Sequence, residues 1–462
     1  MYFSKRGERV ALVIIGVLFL ASSIFFISQV NEGNGITGAV IGVQEPQESS
    51  TLEQESIATP SLIESPLEED SSVDSTFEEN MDVVEEDMDS GLVDLQENIG
   101  TQAACGAWPC NCGDTVTASI TMTTNLSNCV GNGLNVVADD ITIDCDGYNL
   151  TGDGSGTDYG INMTSRNNVT IVNCNISDFG NAVLFSNTSN SFVRNSTINS
   201  SGNQNIWMED DSSYNTVDNN VFLVGASYTF WIDNSSYNNI TNNQMTTADP
   251  NFIYTRVGAH NNYVYNNVMV SGIITLDGAG NNTIYLNNIT GNSQFGIVIG
   301  TTSSNNNITG NEIINTGSIA AIRVQSSNNT FDSNVLNNNT YNILSFMGPY
   351  VGNVFQHNII SYGTTGIADA NGDDYSIFYN NTFVNISGNS IYVGGDNVNI
   401  TNNTFFNLSG IGISVSNGEN SSISGNNISG CGTAGIKLYQ PSIFSVITNN
   451  YVSGCISGEL SS

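Results

Sequence analysis

Between Val169 and Val452 the chain repeats one short pattern: an apolar residue, two polar residues, an Asn, a spacer and a second apolar residue. Ile240-Thr241-Asn242-Asn243-Gln244-Met245 is one copy and Ile400-Thr401-Asn402-Asn403-Thr404-Phe405 another. The fourth place is held by Asn220, Asn243, Asn267, Asn287, Asn311, Asn334, Asn358, Asn381, Asn403, Asn426 and Asn450, at intervals of 20 to 24 residues. Cys174 and Ser196 hold it in two earlier copies, which makes thirteen. A unit this short cannot bury an apolar face alone, so copies must stack on one another. The 462 residues therefore read as one long array rather than several independent domains.

Each copy carries a second apolar pair upstream, as in Gly296-Ile297-Val298-Ile299 and Gly412-Ile413-Ser414-Val415. Alternation with a period of two is the strand signal, and no copy holds an amphipathic helix of three turns. Short strands with Asn- and Gly-rich corners predict one coil of a parallel β-helix per copy. Asn suits the corners because it tolerates left-handed backbone and bonds to nearby backbone. Stacked coil on coil, identical Asn side chains predict an amide ladder. Twelve steps of about 4.8 Å give a solenoid of roughly 58 Å. Leucine-rich repeats, propeller blades and Ca²⁺-binding nonapeptide rolls all need signatures that the copies lack.

The N-terminal part is organised differently. Lys5, Arg6 and Arg9 precede an apolar run from Val10 to Val30. The run is long enough to cross a bilayer, with the N-terminus kept in the cytoplasm by its positive flank. A cleaved signal peptide is the rival reading; both predict export. Residues 1–9 then form a cytoplasmic tail, 10–30 a single-pass anchor and 31–100 an acidic linker. Between Glu45 and Glu97 there are 18 acidic residues and no Lys or Arg, so the linker is expected to be disordered and extended. With a formal net charge of −35, the chain lacks the basic face that nucleic acid requires.

Cys105, Cys110, Cys112, Cys129 and Cys145 mark residues 101–160 as a Cys-rich cap and first coil, with Cys174 just beyond. The spacing lacks zinc-ribbon CxxC pairs, so disulfides are expected in an exported chain, with connectivity open. The β-helix proper is expected over 161–462. Cys431 and Cys455 each lie five residues after a ladder Asn. Stacked about 4.8 Å apart, they fall inside the disulfide window, which predicts a Cys431–Cys455 bridge.

The array resembles the right-handed parallel β-helix repeat family of carbohydrate-binding proteins and sugar hydrolases, over about residues 115 to 460. The stretch Leu134-Asn135-Val136-Val137-Ala138-Asp139-Asp140-Ile141-Thr142-Ile143-Asp144-Cys145 is similar to the family's first coil. The resemblance implies an all-β, right-handed, single-stranded solenoid of about thirteen coils on a prokaryotic, archaeal-type cell surface. It says little about chemistry. The polygalacturonase pattern of that family is not met: Asp210-Asp211 and Asp373-Asp374 match one piece of it, but order and coil spacing do not fit.

One region stands out by alternation. If Ile206, Met208, Phe230, Ile232, Ile253, Thr255, Ile274 and Leu276 point inward, then Trp207, Trp231, Tyr254 and Thr275 share an outward row. Glu209, Asp233, Arg256 and Asp277 form the row beside it. Aromatic faces next to carboxylates and a guanidinium are what sugar rings stack on and bond to. These seven residues, Thr275 aside, are the glycan-binding candidates. No metal set is legible and no cofactor is expected, with Ca²⁺ on the acidic stretches as the alternative; His260 and His357 read as structural. Sequons such as those of Asn187 and Asn234 predict exposed glycosylation sites.

The expected function is a membrane-anchored extracellular β-helix for adhesion or glycan binding. The alternatives are a polysaccharide lyase, hydrolase or epimerase, and a structural envelope subunit. The last follows from the absence of a capping helix after the Asn450 coil, which predicts end-to-end self-association.

Overall fold

The computed structural model describes residues 2–5, 8–11 and 103–461, apart from short stretches within the last span. The tail, anchor and acidic linker expected over residues 1–100 lie almost wholly outside the described residues. Among those described, no helix is long and apolar enough to cross a membrane. Tyr2–Lys5 and Glu8–Ala11 pair antiparallel as a unit apart from the array.

From Ala104 onward the chain winds as a solenoid in which each coil lays down three short strands. Gln204–Glu209, Thr216–Asp218 and Val221–Phe222 form one coil; Tyr228–Ile232, Asn239–Thr241 and Gln244–Thr246 form the next. Each strand pairs in parallel with its counterpart one coil on. Three sheets result. The first runs from Ala104–Cys105 to Leu460–Ser461 as an open ladder, its end strands each paired on one side. The second and third hold fifteen strands each.

Fifteen exceeds the thirteen copies read from the sequence. The additional coils use Ile120–Thr121 with Leu126–Cys129, and Thr142–Asp144 with Asn149–Gly152. Four residues separate the two strands in each of these coils, against two at the Asn219-Asn220 corner. The longer corner breaks the spacing: Cys145-Asp146-Gly147-Tyr148 lacks Asn, and Met122-Thr123-Thr124-Asn125 carries one only at its last place, although the backbone still closes the same coil.

The regular corner divides its work between two adjacent residues. Asn219, Asn242 and Asn402 take φ of 55°, 56° and 57°, the left-handed conformation that Asn tolerates best after Gly. The residue after each is the buried ladder Asn. Asn220 donates its backbone N–H and its side-chain amide to Asn243 Oδ1, at 3.0 and 3.1 Å. Its amide also reaches Val193 O at 3.0 Å. Asn243 repeats this toward Asn267, and the chain of amides runs on to Asn450. Buried donors and acceptors are thereby paired, which spares the roughly 1–3 kcal/mol that each unpaired group costs.

A second ladder runs five residues upstream, through Asn215, Asn238, Asn262, Asn282, Asn306, Asn329 and Asn353. Both ladders border an apolar interior in which like residues stack. Phe331, Phe355 and Phe378 lie 5.0 Å apart ring to ring, and Phe383 and Phe405 4.8 Å.

Disulfides close both ends of the stack. Cys105 joins Cys110, Cys112 joins Cys129, and Cys145 joins Cys174 on the next coil. At the far end Cys431 joins Cys455, with Cα atoms 4.4 Å apart.

Candidate functional site

The outer face of the first sheet carries the residues that distinguish one coil from the next. Ile206, Met208, Phe230, Ile232, Ile253, Ile274 and Leu276 have no exposed surface, and Thr255 is buried with them. The residues between them face outward. The register sets Trp207 opposite Trp231, Trp231 opposite Tyr254, and Tyr254 opposite Thr275. Backbone bonds from Asp233 N to Met208 O, Arg256 N to Ile232 O and Asp277 N to Thr255 O extend this pairing past the strand ends. They bring Glu209, Asp233, Arg256 and Asp277 into the adjacent row. All seven candidate residues thus meet on one half-buried face.

The rings form a cluster. Trp231 and Tyr254 stack with centroids 5.1 Å apart and planes 27° from parallel. Tyr228 closes on both, edge-on to Trp231 at 4.7 Å and tilted to Tyr254 at 5.4 Å. Tyr159 approaches Trp207 at 6.3 Å. Contacts of this kind hold aromatic faces rigid at low entropic cost to a ligand.

Polar groups then lock the rim. Tyr254 Oη donates to Asp277 Oδ2 at 2.9 Å. Burial first, then the hydrogen bond to Asp277, pushes the Tyr254 phenol up to about 12. Arg256 pairs with Asp233 Oδ2 at 3.1 Å while its guanidinium lies 5.1 Å from the Trp231 ring centre. Burial, and then the charges of Asp210 and Asp233, hold the Glu209 carboxyl above its usual range.

Tyr228 and Tyr159 were not legible from alternation, and the reason is local. Thr229 and Phe230 are both buried in succession, so Tyr228 re-emerges three residues before Trp231. A period of two places it on the wrong face. The clustering of aromatic residues at Tyr228, Phe230 and Trp231 was the available signal.

The other singled-out residues sit elsewhere. His260 Nδ1 accepts from Gly280 N at 3.0 Å, and His357 bonds Asp332 at 2.9 Å from a left-handed corner position. Asn187 and Asn234 are exposed corner residues, the latter bonded to Asp211. Among the described residues no group of three or more His, Cys, Asp or Glu side chains is placed to hold a metal ion.

Asp373 lies apart, buried, with its carboxylate bonded to Ser345 Oγ and to Tyr350 N at 2.8 Å. Beside it Asp369, fully buried on the interior side of the first sheet, is held well above the usual carboxylate range. Burial is the larger cause and the Asp373 carboxylate the next.

A family model described as the right-handed beta helix region matches residues 114–269 and 350–458, more than half of the chain. No curated protein matches. Among solved structures, a tailspike protein double mutant of Escherichia coli bacteriophage HK620 is 11% identical, with a TM-score of 0.40 over 68% of this chain and 67% of that one. DFA-IIIase from Arthrobacter chlorophenolicus A6 is 14% identical, with a TM-score of 0.34 over 56% of this chain and 71% of its own. A mutant of the periplasmic alginate epimerase AlgG is 12% identical, with a TM-score of 0.34 over 62% of this chain and 77% of that one.

Proposed function

The chain belongs to the right-handed β-helix family, and from that premise we propose that it is a glycan-binding protein whose ligand lies across the coils on the outer face of the first sheet. The observation that carries this reading is the Tyr228, Trp231 and Tyr254 cluster beside Trp207, rimmed by charged groups. Such rings stack on the apolar faces of sugars, while rim carboxylates and Arg256 accept and donate to hydroxyls. The parallel strands repeat the contact every 4.8 Å or so along the stack, a spacing suited to a polymeric ligand.

The role includes display outside the cell, through the apolar run at 10–30 and the acidic linker, for adhesion to surface polysaccharide. A glycan array probed with the full chain and with the Trp207→Ala/Trp231→Ala variant tests the binding site. Retention of a glycan by the parent and its loss in the variant is expected; equal retention ends the proposal.

One observation favours a second reading, cleavage of the bound polysaccharide. Glu209, with its carboxyl held above the usual range, sits one coil from the ionic Asp233, and glycoside hydrolysis needs an acid and a second carboxylate. Reducing-end assays on the retained glycan, with Glu209→Gln as the control, separate binding from hydrolysis.

A further inference from the structure

The charge around the aromatic cluster restricts the class of glycan that it accepts. Glu209, Asp210, Asp211, Asp233 and Asp277 all lie along the rim, and Arg256 is the cation among them. Arg256 is already committed to Asp233 at 3.1 Å and to the Trp231 ring. Arg323, the next basic residue along the outward row, stands two strands beyond Thr275.

The carboxylates are held in place without being neutralised. Asp210 accepts from Ser186 Oγ at 2.9 Å, Asp211 from Asn234 Nδ2 at 3.0 Å and Asp277 from Tyr254 Oη at 2.9 Å. Each donor is uncharged and leaves the negative charge in full. Glu209 is partly buried, and among the described residues its carboxylate receives neither a hydrogen bond nor a cation. Burial first, and then the charges of Asp210 and Asp233, hold the Glu209 carboxyl above its usual range.

We propose, building on the glycan-binding reading, that this face selects glycans bearing free amino groups and rejects polyuronates. An ammonium group on a stacked sugar donates up to three hydrogen bonds and supplies the charge that Glu209 and its neighbours lack. A hydroxyl supplies the hydrogen bond without the charge. A uronate carboxylate would be desolvated against four carboxylates that no cation pairs, Glu209, Asp210, Asp211 and Asp277, a juxtaposition that disfavours binding strongly. The rings alone would accept all three, so the rim sets the preference.

The test is calorimetric titration of the full chain with oligomers of glucosamine, of N-acetylglucosamine and of galacturonate, equal in length. The expected order is glucosamine at least tenfold tighter than its acetylated counterpart, with no measurable uronate binding. The glucosamine advantage should shrink toward parity in 0.5 M salt, where screening acts within about 4 Å, and also in Glu209→Gln/Asp210→Asn/Asp211→Asn/Asp277→Asn, which keeps the Asp233–Arg256 pair. That variant leaves the acidic residues between Glu45 and Glu97 intact. A preference that persists in it comes from the rest of the acidic chain, and overturns the assignment to this face. Uronate or acetylated oligomers binding as tightly as glucosamine overturn the charge inference alone, provided that Trp207→Ala/Trp231→Ala still abolishes binding. Binding by none of the three, or binding indifferent to the Trp substitutions, overturns the glycan-binding reading as well.

Discussion

The Asn corner and the outer face of the first sheet are built on the same coils, yet they vary in opposite ways. At the corner, coil after coil places an identical residue: eleven Asn side chains from Asn220 to Asn450 each meet the next. On the outer row the register runs Trp207, Trp231, Tyr254, Thr275, Val298, Arg323, Leu344, Ala368 and Tyr392. Burial accounts for the contrast. An amide enclosed between two coils must satisfy the groups above and below it, and the residue that does so once does so every time. A side chain facing solvent has no such obligation. Periodicity therefore marks the scaffold, and departures from it mark the face proposed for glycan binding.

The contrast is broken most directly at the ladder. Asn311 accepts from Asn287 N and Nδ2, both at 3.0 Å, and donates to Ile284 O at 2.9 Å. Asn311→Ala removes these three buried hydrogen bonds and should cost upwards of about 3 kcal/mol in urea denaturation. A loss below about 1 kcal/mol would mean that the ladder is ornament.

The end of the stack should respond almost as strongly. Cys145→Ser/Cys174→Ser opens a loop of 29 residues and is expected to cost about 3 kcal/mol. A variant with the parent's denaturation midpoint would show that the first coils hold without the bridge.

A smaller, pH-dependent effect is expected where the interior itself departs from pattern. Asp369 faces the core between Ser345 and Val393. Unfolded, it ionises above about pH 4; folded, it retains its proton to higher pH. Folding therefore loses stability as pH rises from about 4 until the folded group ionises too. Asp369→Asn removes that loss, so its melting temperature should exceed the parent's at pH 8 and match it at pH 4. A difference independent of pH would assign the effect to packing.

The least effect belongs to the neighbour of a ladder residue. Asn242 is exposed at φ 56°, and its substitution by Ala should cost about 1 kcal/mol, that by Gly a few tenths or nothing. Comparing Asn242→Ala with Asn311→Ala separates backbone conformation from buried hydrogen bonding at adjacent corner positions.

Much of the scaffold was legible because its physics is periodic. A 20–24-residue interval with two-residue alternation leaves few ways to bury the apolar positions, and it directs Ile206 and Met208 inward with Trp207 between them. Legibility ended where the period did. The corner at Cys145-Asp146-Gly147-Tyr148 holds two residues more than its successors, and so two coils went uncounted. The second ladder at Asn215 and its counterparts was hidden among the run of Asn and Ser that opens each copy.

By itself the sequence determined a stacked, Asn-cornered solenoid and the outward placement of Trp207, Trp231 and Tyr254, because these follow from period and burial alone. Tertiary structure decided what no interval encodes. Tyr228 turns back onto Trp231 and Tyr254 because two consecutive residues before Trp231 are buried. Arg256 is committed to Asp233, so the rim keeps its negative field. Asp369 shares the interior with a second carboxylate. The first two join neighbouring coils, Tyr228 to Tyr254 and Arg256 to Asp233, and the third joins residues across one corner; all are set by how neighbouring side chains fill the same space.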